Sequence, residues 1–158
     1  MKKIILIALV LVHLLSVSCF AGDGSLNIPS YVKSPEDVAR WFSHDFKYQL
    51  MIPKTPQTPE EMLSSKGGDC DDFAALASEA LKRMGISSSV VAIMLNDWEF
   101  AHAVCIWKEK DGTYSFISNQ EIRRTGENTM DGAIKKFYPA AKKILVNFDR
   151  LQQRKYIS

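Results

Sequence analysis

Cysteine and histidine are scarce in this chain, with three of each among 158 residues. Only Cys70 and Cys105 lie beyond the first 21 residues, too few for a disulfide-rich scaffold, although one structural bridge between them is a possible use in an oxidising compartment. The sequence has no internal repeat and no low-complexity segment, which excludes a repeat protein. It also has no basic stripe interleaved with aromatic residues, which argues against a nucleic-acid partner.

The N-terminal segment predicts export. Residues 1–3 carry a basic head, residues 4–15 are apolar, and residues 16–21 include small residues before a polar turn, as in a secretory signal peptide. The apolar run is too short and wrongly flanked to span a membrane. We expect cleavage after Ala21 and a periplasmic or secreted protein. The alternative is a lipoprotein acylated at Cys19, which would contact the membrane through its lipid, but a serine stands where that signal prefers an aliphatic residue.

Residues 22–158 are expected to form a single domain, since this length suffices for one compact core and not for two. The net charge of +2 comes from Lys2 and Lys3, because basic and acidic residues balance elsewhere. Residues 121–158 are nevertheless rich in basic side chains, which indicates either a solvated face or a docking patch for an acidic partner. The sequence leaves the oligomeric state open.

Helix signals come first along the chain. Ser34 before a proline predicts an N-cap, and Thr58 with Glu61 predicts a capping box. Apolar residues then recur at helical spacing over residues 70–84, and Gly85 is typical of a left-handed C-terminal cap. The first part of the domain is therefore predicted to be helical.

Strand signals follow. Residues 88–95, 100–109 and 114–119 are rich in β-branched and aromatic side chains and are separated by turn residues, which predicts an antiparallel meander. A further helix is expected near residues 130–137, and an apolar run at residues 144–146 closes the chain. Helices followed by an antiparallel sheet predict an α+β domain with the N-terminal helices packed on the sheet.

The chemistry is predicted to lie in residues 67–72, Gly-Gly-Asp-Cys-Asp-Asp, where a turn becomes the first turn of a helix. The backbone N–H groups and dipole of that helix favour a thiolate at Cys70. The neighbouring carboxylates oppose it, so a cation near the sulfur is required. His102, on a strand downstream, is the candidate for a thiolate–imidazolium pair. A histidine in an apolar strand is also typical of a hydrogen-bonded core residue.

An orienting group for His102 is expected on the next strand. Asn119 supplies an amide oxygen for the ring N–H, as in Cys-His-Asn sites, and Ser118 is the neighbouring candidate. Only one of them can face the histidine, because side chains alternate along a strand. Cys105 is predicted to pack on the face opposite His102. Trp98 and Phe100, which flank the same strand, are candidates for a substrate wall or for the core.

These residues resemble the transglutaminase-like superfamily of papain-type thiol enzymes, and most of all the bacterial transglutaminase-like cysteine proteinases. The resemblance covers about residues 35–120 and rests on residues 67–74, the helix that ends in Gly85-Ile86, and the strand histidine. It implies a papain/transglutaminase-like core with the nucleophile at a helix N-terminus, Cys70 as nucleophile and His102 as base. The family usually has an aspartate where this chain has Ser118-Asn119, which implies weaker stabilisation of the imidazolium.

Some bacterial members of the superfamily bind calcium through acidic residues beside the cysteine. Asp69, Asp71 and Asp72 resemble that pattern, but one helical turn offers only part of a calcium cage. We therefore expect no cofactor, with calcium as the alternative. An oxyanion hole would use the backbone N–H of Cys70 and a second donor from Tyr48 or Gln49.

The expected function is that of an exported thiol hydrolase, a cysteine peptidase or amidase. It would act through a Cys70 acyl-enzyme, with His102 and Asn119 completing the triad, on a protein or peptide of the cell envelope. Two alternatives remain: acyl transfer from a protein glutamine to an amine, and a non-catalytic peptide-binding module on the same fold. The sequence does not identify the substrate.

Overall fold

A computed structural model describes residues 26–50, 56–95 and 101–147. The predictions made for the leader, for Cys19, and for Trp98 and Phe100 lie outside these residues. None of the helices in the described ranges combines the length and hydropathy needed to cross a bilayer. The elements, in chain order, are α1 (Pro35–Asp45), β1 (Lys47–Tyr48), α2 (Pro59–Ser65), β2 (Gly67–Gly68), α3 (Cys70–Arg83), β3 (Ser88–Met94), β4 (Ala101–Lys108), β5 (Tyr114–Ser118), β6 (Glu121–Glu127), α4 (Met130–Phe137) and β7 (Lys143–Val146).

The helices begin where the capping residues predict. Ser34 Oγ accepts a hydrogen bond from the backbone N–H of Asp37 at 3.2 Å. Thr58 and Glu61 form the reciprocal capping box, in which the side chain of each accepts from the backbone N–H of the other. After α3, Gly85 adopts a φ of +73° and the chain turns out of the helix. These predicted boundaries are confirmed.

A five-stranded antiparallel sheet has the order β6-β5-β4-β3-β7. The predicted meander is its centre, β3-β4-β5, and the α+β class is confirmed. The edge strand β6 was not predicted, because it is mostly exposed and only Thr125 is buried. An exposed edge strand lacks the apolar alternation that reveals a strand in a sequence.

The two faces of the sheet pack against different helices. Ala103 and Cys105 of β4 belong to a core cluster with residues of α1 and α3. Val104 and Ile106, which alternate with them, belong to a second cluster with residues of α4. His102 has the same parity as Val104 and Ile106, so its side chain lies on the α4 face.

Aromatic packing fixes the position of α3 against α1. The rings of Phe42 and Phe73 meet edge to face with centroids 5.3 Å apart. Gln120, in the turn between β5 and β6, donates from Nε2 to the carbonyl oxygens of Phe42 and Phe46. The start of α3 and the turn after β5 are thus both tied to the C-terminal end of α1.

Candidate active site

Cys70 is the first residue of α3, and its side chain is buried at the start of a helix of 14 residues. Asp69 precedes it as the N-cap, and its carbonyl accepts from the N–H of Phe73. Asp72 Oδ2 accepts from the backbone N–H of Asp69 at 3.0 Å, which is one half of a capping box. The thiol therefore lies at the positive end of the helix dipole, where a thiolate is favoured.

The two glycines before Cys70 make space for the side chains around them. A Cβ on Gly68 would lie 2.7 Å from Cβ and Oδ2 of Asp72, and one on Gly67 would lie 3.0 Å from Nε2 of Gln49. The backbone N–H of Gln49 donates to the Gly68 carbonyl at 2.8 Å. Of the predicted second oxyanion donors, the Gln49 backbone amide is thus already used to hold the glycine strand.

Asp72 uses several hydrogen bonds to hold the segments that lie next to Cys70. Besides Asp69, it accepts hydrogen bonds from the backbone N–H of Gln57 at 2.8 Å and from its Nε2 at 3.2 Å. The same Nε2 donates to the carbonyl of Gly67 at 2.8 Å. Sequence reasoning missed Gln57, because nothing in its spacing links it to a carboxylate 15 positions later.

A chain of hydrogen bonds leads away from the predicted base. His102 Nε2 lies 2.8 Å from Ser118 Oγ, and Ser118 Oγ lies 3.0 Å from the hydroxyl of Tyr138. The rings of His102 and Tyr138 are in contact, with centroids 5.4 Å apart. His102 and Ser118 are both half-buried at the end of the sheet.

Tyr138 is half-buried beside His102. Burial is the main cause that raises the pKa of Tyr138, and the charge of Cys70 raises it further. Tyr138 thus contacts His102 through its ring and Ser118 through its hydroxyl. Sequence reasoning missed this residue: it predicted α4, but no motif connects the tyrosine after that helix with a histidine on β4.

The structure corrects the preference for Asn119 as the partner of His102. Asn119 lies in the turn after β5 with a φ of +52°, and its Oδ1 is buried without a hydrogen-bond partner in the described part of the chain. Asparagine is among the residues that adopt this left-handed conformation most readily, which accounts for its presence at the turn. The alternation of β5 places Ser118, the other candidate, at the imidazole.

Cys105 has the packing role predicted for it. It is fully buried within the α1 and α3 core, and neither Cys70 nor Cys105 forms a disulfide. Burial raises the pKa of the Cys105 thiol to about 12, although hydrogen bonds with Ser88 and Ser78 oppose this shift. Cys105 is therefore a protonated core residue, and Cys70 is the thiol at a helix start.

The acidic residues beside Cys70 do not by themselves form a calcium site. Ligand atoms of Asp69, Cys70 and Asp71 lie within 4.8 Å of one another. Calcium takes about six to eight oxygen ligands, and this group contributes two carboxylates and a thiol. The oxygens of Asp72 accept from the N–H groups of Gln57 and Asp69. Calcium binding stays the alternative to the expected absence of a cofactor.

The chain is similar to known proteins over its described core. The profile of a transglutaminase-like domain family matches residues 23–128. No curated protein sequence matches the chain significantly. Among solved structures, calcium-bound LapG from Legionella pneumophila is 21% identical, with a TM-score of 0.47 over 62% of this chain and 59% of that one.

Two further LapG structures from the same organism are similar to the chain. One is 22% identical with a TM-score of 0.45, covering 56% of this chain and 54% of that one. The EGTA-treated form is 19% identical with a TM-score of 0.47, covering 62% and 57%. The chain thus spans less than two thirds of the length of these structures.

Proposed function

Because the chain belongs to the transglutaminase-like domain family, we propose that it is an exported thiol hydrolase that cleaves an amide bond in a protein or peptide of the cell envelope. Cys70 is the nucleophile, His102 is the general base and then the general acid, and Ser118 orients the imidazole. The observation that carries the proposal is the burial of Cys70 at the start of α3, together with the hydrogen bond that ties His102 to Ser118.

The hydrogen bond of His102 and the position of Cys70 at a helix start support this chemistry. Ser118 engages Nε2 of His102, so Nδ1 is the ring nitrogen that exchanges a proton with Cys70. The start of α3 favours the thiolate, and the imidazolium formed by that transfer counters the buried carboxylates of Asp69 and Asp71. The pair therefore supplies both a nucleophile and an acid.

The reaction proceeds through an acyl-enzyme. The Cys70 sulfur attacks the carbonyl carbon, the carbon–nitrogen bond breaks, and the leaving amine takes a proton from His102. A thioester with Cys70 remains. His102 then removes a proton from a water molecule, which attacks the thioester, and the carbon–sulfur bond breaks to release a carboxylic acid and restore the thiol. An amine in place of water would give acyl transfer.

Alkylation with iodoacetamide at mildly acidic pH tests the proposal. Selective labelling of Cys70, located by peptide mass spectrometry, is expected because only a thiolate pair reacts under these conditions. Labelling should be lost in His102→Ala and retained in His44→Ala, which removes an exposed histidine of α1. Equally slow labelling of Cys70 and Cys105 would instead support a non-catalytic module.

A further inference from the structure

Tyr138 lies outside the family match, which ends at residue 128, yet it is part of the site. Its backbone N–H donates to the carbonyl of Ile134 at 2.8 Å as α4 ends, and its carbonyl accepts from the N–H of Ala141 at 2.9 Å. Ile134 is fully buried against the sheet. The position of the phenol is therefore set by the packing of α4 and not by a loose tail.

We propose that Tyr138 is a positioning residue for His102, acting through Ser118: its hydroxyl oxygen accepts the Ser118 proton, so that Ser118 presents a lone pair to the N–H at Nε2 of His102. This inference rests on the proposed function of Cys70 and His102. It adds a residue that neither the motif nor the family match contains.

The direction of two hydrogen bonds at Ser118 decides which ring nitrogen of His102 carries the proton. A serine hydroxyl has one proton and two lone pairs, and either direction fits the distances of 2.8 Å and 3.0 Å around Ser118. If the serine proton points to Tyr138, the Ser118 oxygen accepts a hydrogen bond from the N–H at Nε2 of His102, and the imidazolium is stabilised. If it points to His102, Nε2 becomes the acceptor and the ring proton moves to Nδ1, where it blocks proton transfer from Cys70.

Tyr138 decides between these directions. In the described part of the chain, Tyr138 is the one hydrogen-bond partner of Ser118 Oγ besides the imidazole. In the proposed arrangement its hydroxyl oxygen accepts the serine proton and holds it away from the ring, whereas a tyrosine that donated to Ser118 would leave that proton for Nε2. Two neutral hydroxyls thus orient the imidazole as a carboxylate would, although they add no negative charge. The ring of Tyr138 also packs against His102 and Phe116, which limits rotation of the imidazole.

Tyr138→Phe tests the inference, because it keeps the ring and removes only the hydroxyl. Nitrogen-15 NMR of the histidine rings, assigned by the signals lost in His102→Gln, reports which ring nitrogen carries the proton. In the wild-type protein Nε2 is expected to be protonated, and in Tyr138→Phe a neutral form protonated at Nδ1 should appear. The rate constant for iodoacetamide alkylation of Cys70 should fall by up to about tenfold, which corresponds to the upper end of the range for a hydrogen bond between neutral groups. Tyr31→Phe, at an exposed tyrosine, should change neither measurement.

A double variant separates positioning from structural support. If Tyr138 acts through Ser118, then Ser118→Ala combined with Tyr138→Phe should react at the rate of Ser118→Ala alone. Additive losses, or unchanged nitrogen shifts and rate in Tyr138→Phe, would overturn the inference while leaving the proposed function intact. Failure of the wild-type protein to label selectively would instead refute the proposed function, and the nitrogen shifts would still report on Tyr138.

Discussion

Ser118 Oγ lies 2.8 Å from Nε2 of His102, so a neutral hydroxyl stands beside the imidazole. The resemblance to transglutaminase-like enzymes implies an aspartate on this strand. A hydroxyl accepts the ring N–H but brings no charge to balance the imidazolium. The imidazolium of His102, and with it the pair that it forms with the Cys70 thiolate, should therefore be less stable than beside a carboxylate. This difference can be measured.

Ser118→Asp should extend the reactivity of Cys70 to higher pH. A carboxylate beside the ring raises the pKa of His102, so the imidazolium and the thiolate pair persist further into the alkaline range. The measurement is the pH profile of the iodoacetamide rate constant. Ser43→Asp, on the exposed side of α1, adds the same charge elsewhere and should leave the profile unchanged. An unchanged profile in Ser118→Asp would contradict the assignment of Ser118.

Asn119→Gly should leave Cys70 alkylation within about twofold of wild type, since the structure gives Asn119 a role in the turn and not at the imidazole. Glycine adopts the φ of +52° without strain. Asn119→Ala should reduce the free energy of unfolding by about 1 kcal/mol, because alanine adopts the left-handed conformation less readily than asparagine, with alkylation retained. A folded Asn119→Gly protein that had lost selective labelling would restore Asn119 as the orienting residue.

Gly68→Ala should impair both stability and Cys70 reactivity. The added methyl would lie 2.7 Å from the side chain of Asp72, and displacing Asp72 disturbs its hydrogen bonds with Gln57 and Asp69. A loss of about 1–3 kcal/mol in unfolding free energy is expected, as for overpacking. Urea denaturation and the alkylation rate are the measurements.

Gly85→Ala is the matched control for Gly68→Ala. It places a methyl in open space at a φ of +73°, so it should cost about 1–2 kcal/mol through backbone strain alone. Cys70 reactivity should be preserved, because Gly85 lies at the other end of α3. Equal loss of reactivity in the two variants would mean that stability, and not the geometry before Cys70, controls labelling.

Cys105→Ala should change how stability depends on pH. Burial raises the pKa of the Cys105 thiol from 9.0 to about 12. Above pH 9 the unfolded chain loses this proton while the folded protein keeps it, so the wild-type protein loses stability as the pH rises from 9 towards 12. At neutral pH the variant should be less stable by about 1 kcal/mol, as for one deleted methyl group.

The stability difference between wild-type and Cys105→Ala should therefore shrink above pH 9. Urea denaturation at pH 7 and pH 10 measures it. Cys105 should also resist iodoacetamide in the folded protein at both values. Rapid labelling of Cys105 in the native state would show that the thiol is accessible and that its pKa is not raised by burial.

Local signals account for the elements that the sequence predicted well. The cap at Ser34, the box formed by Thr58 and Glu61, and the turn at Gly85 each depend on residues a few positions apart, and each occurs in the structure. The same holds for Cys70 at the start of α3. Strand β6 was not predicted, because most of its residues are exposed to solvent and few of them contribute to the core.

The sequence by itself determined the class of the site: a thiol at the start of a helix, a strand histidine, and an orienting group that is either the hydroxyl of Ser118 or the amide of the adjacent Asn119. These follow from propensity, capping and alternation, which are local. Only the tertiary structure decided that Ser118 and not Asn119 meets His102, that Gln57 binds Asp72, and that Tyr138 joins the site. Those contacts link residues 15 to 36 positions apart, and their formation depends on how the helices pack on the two faces of the sheet.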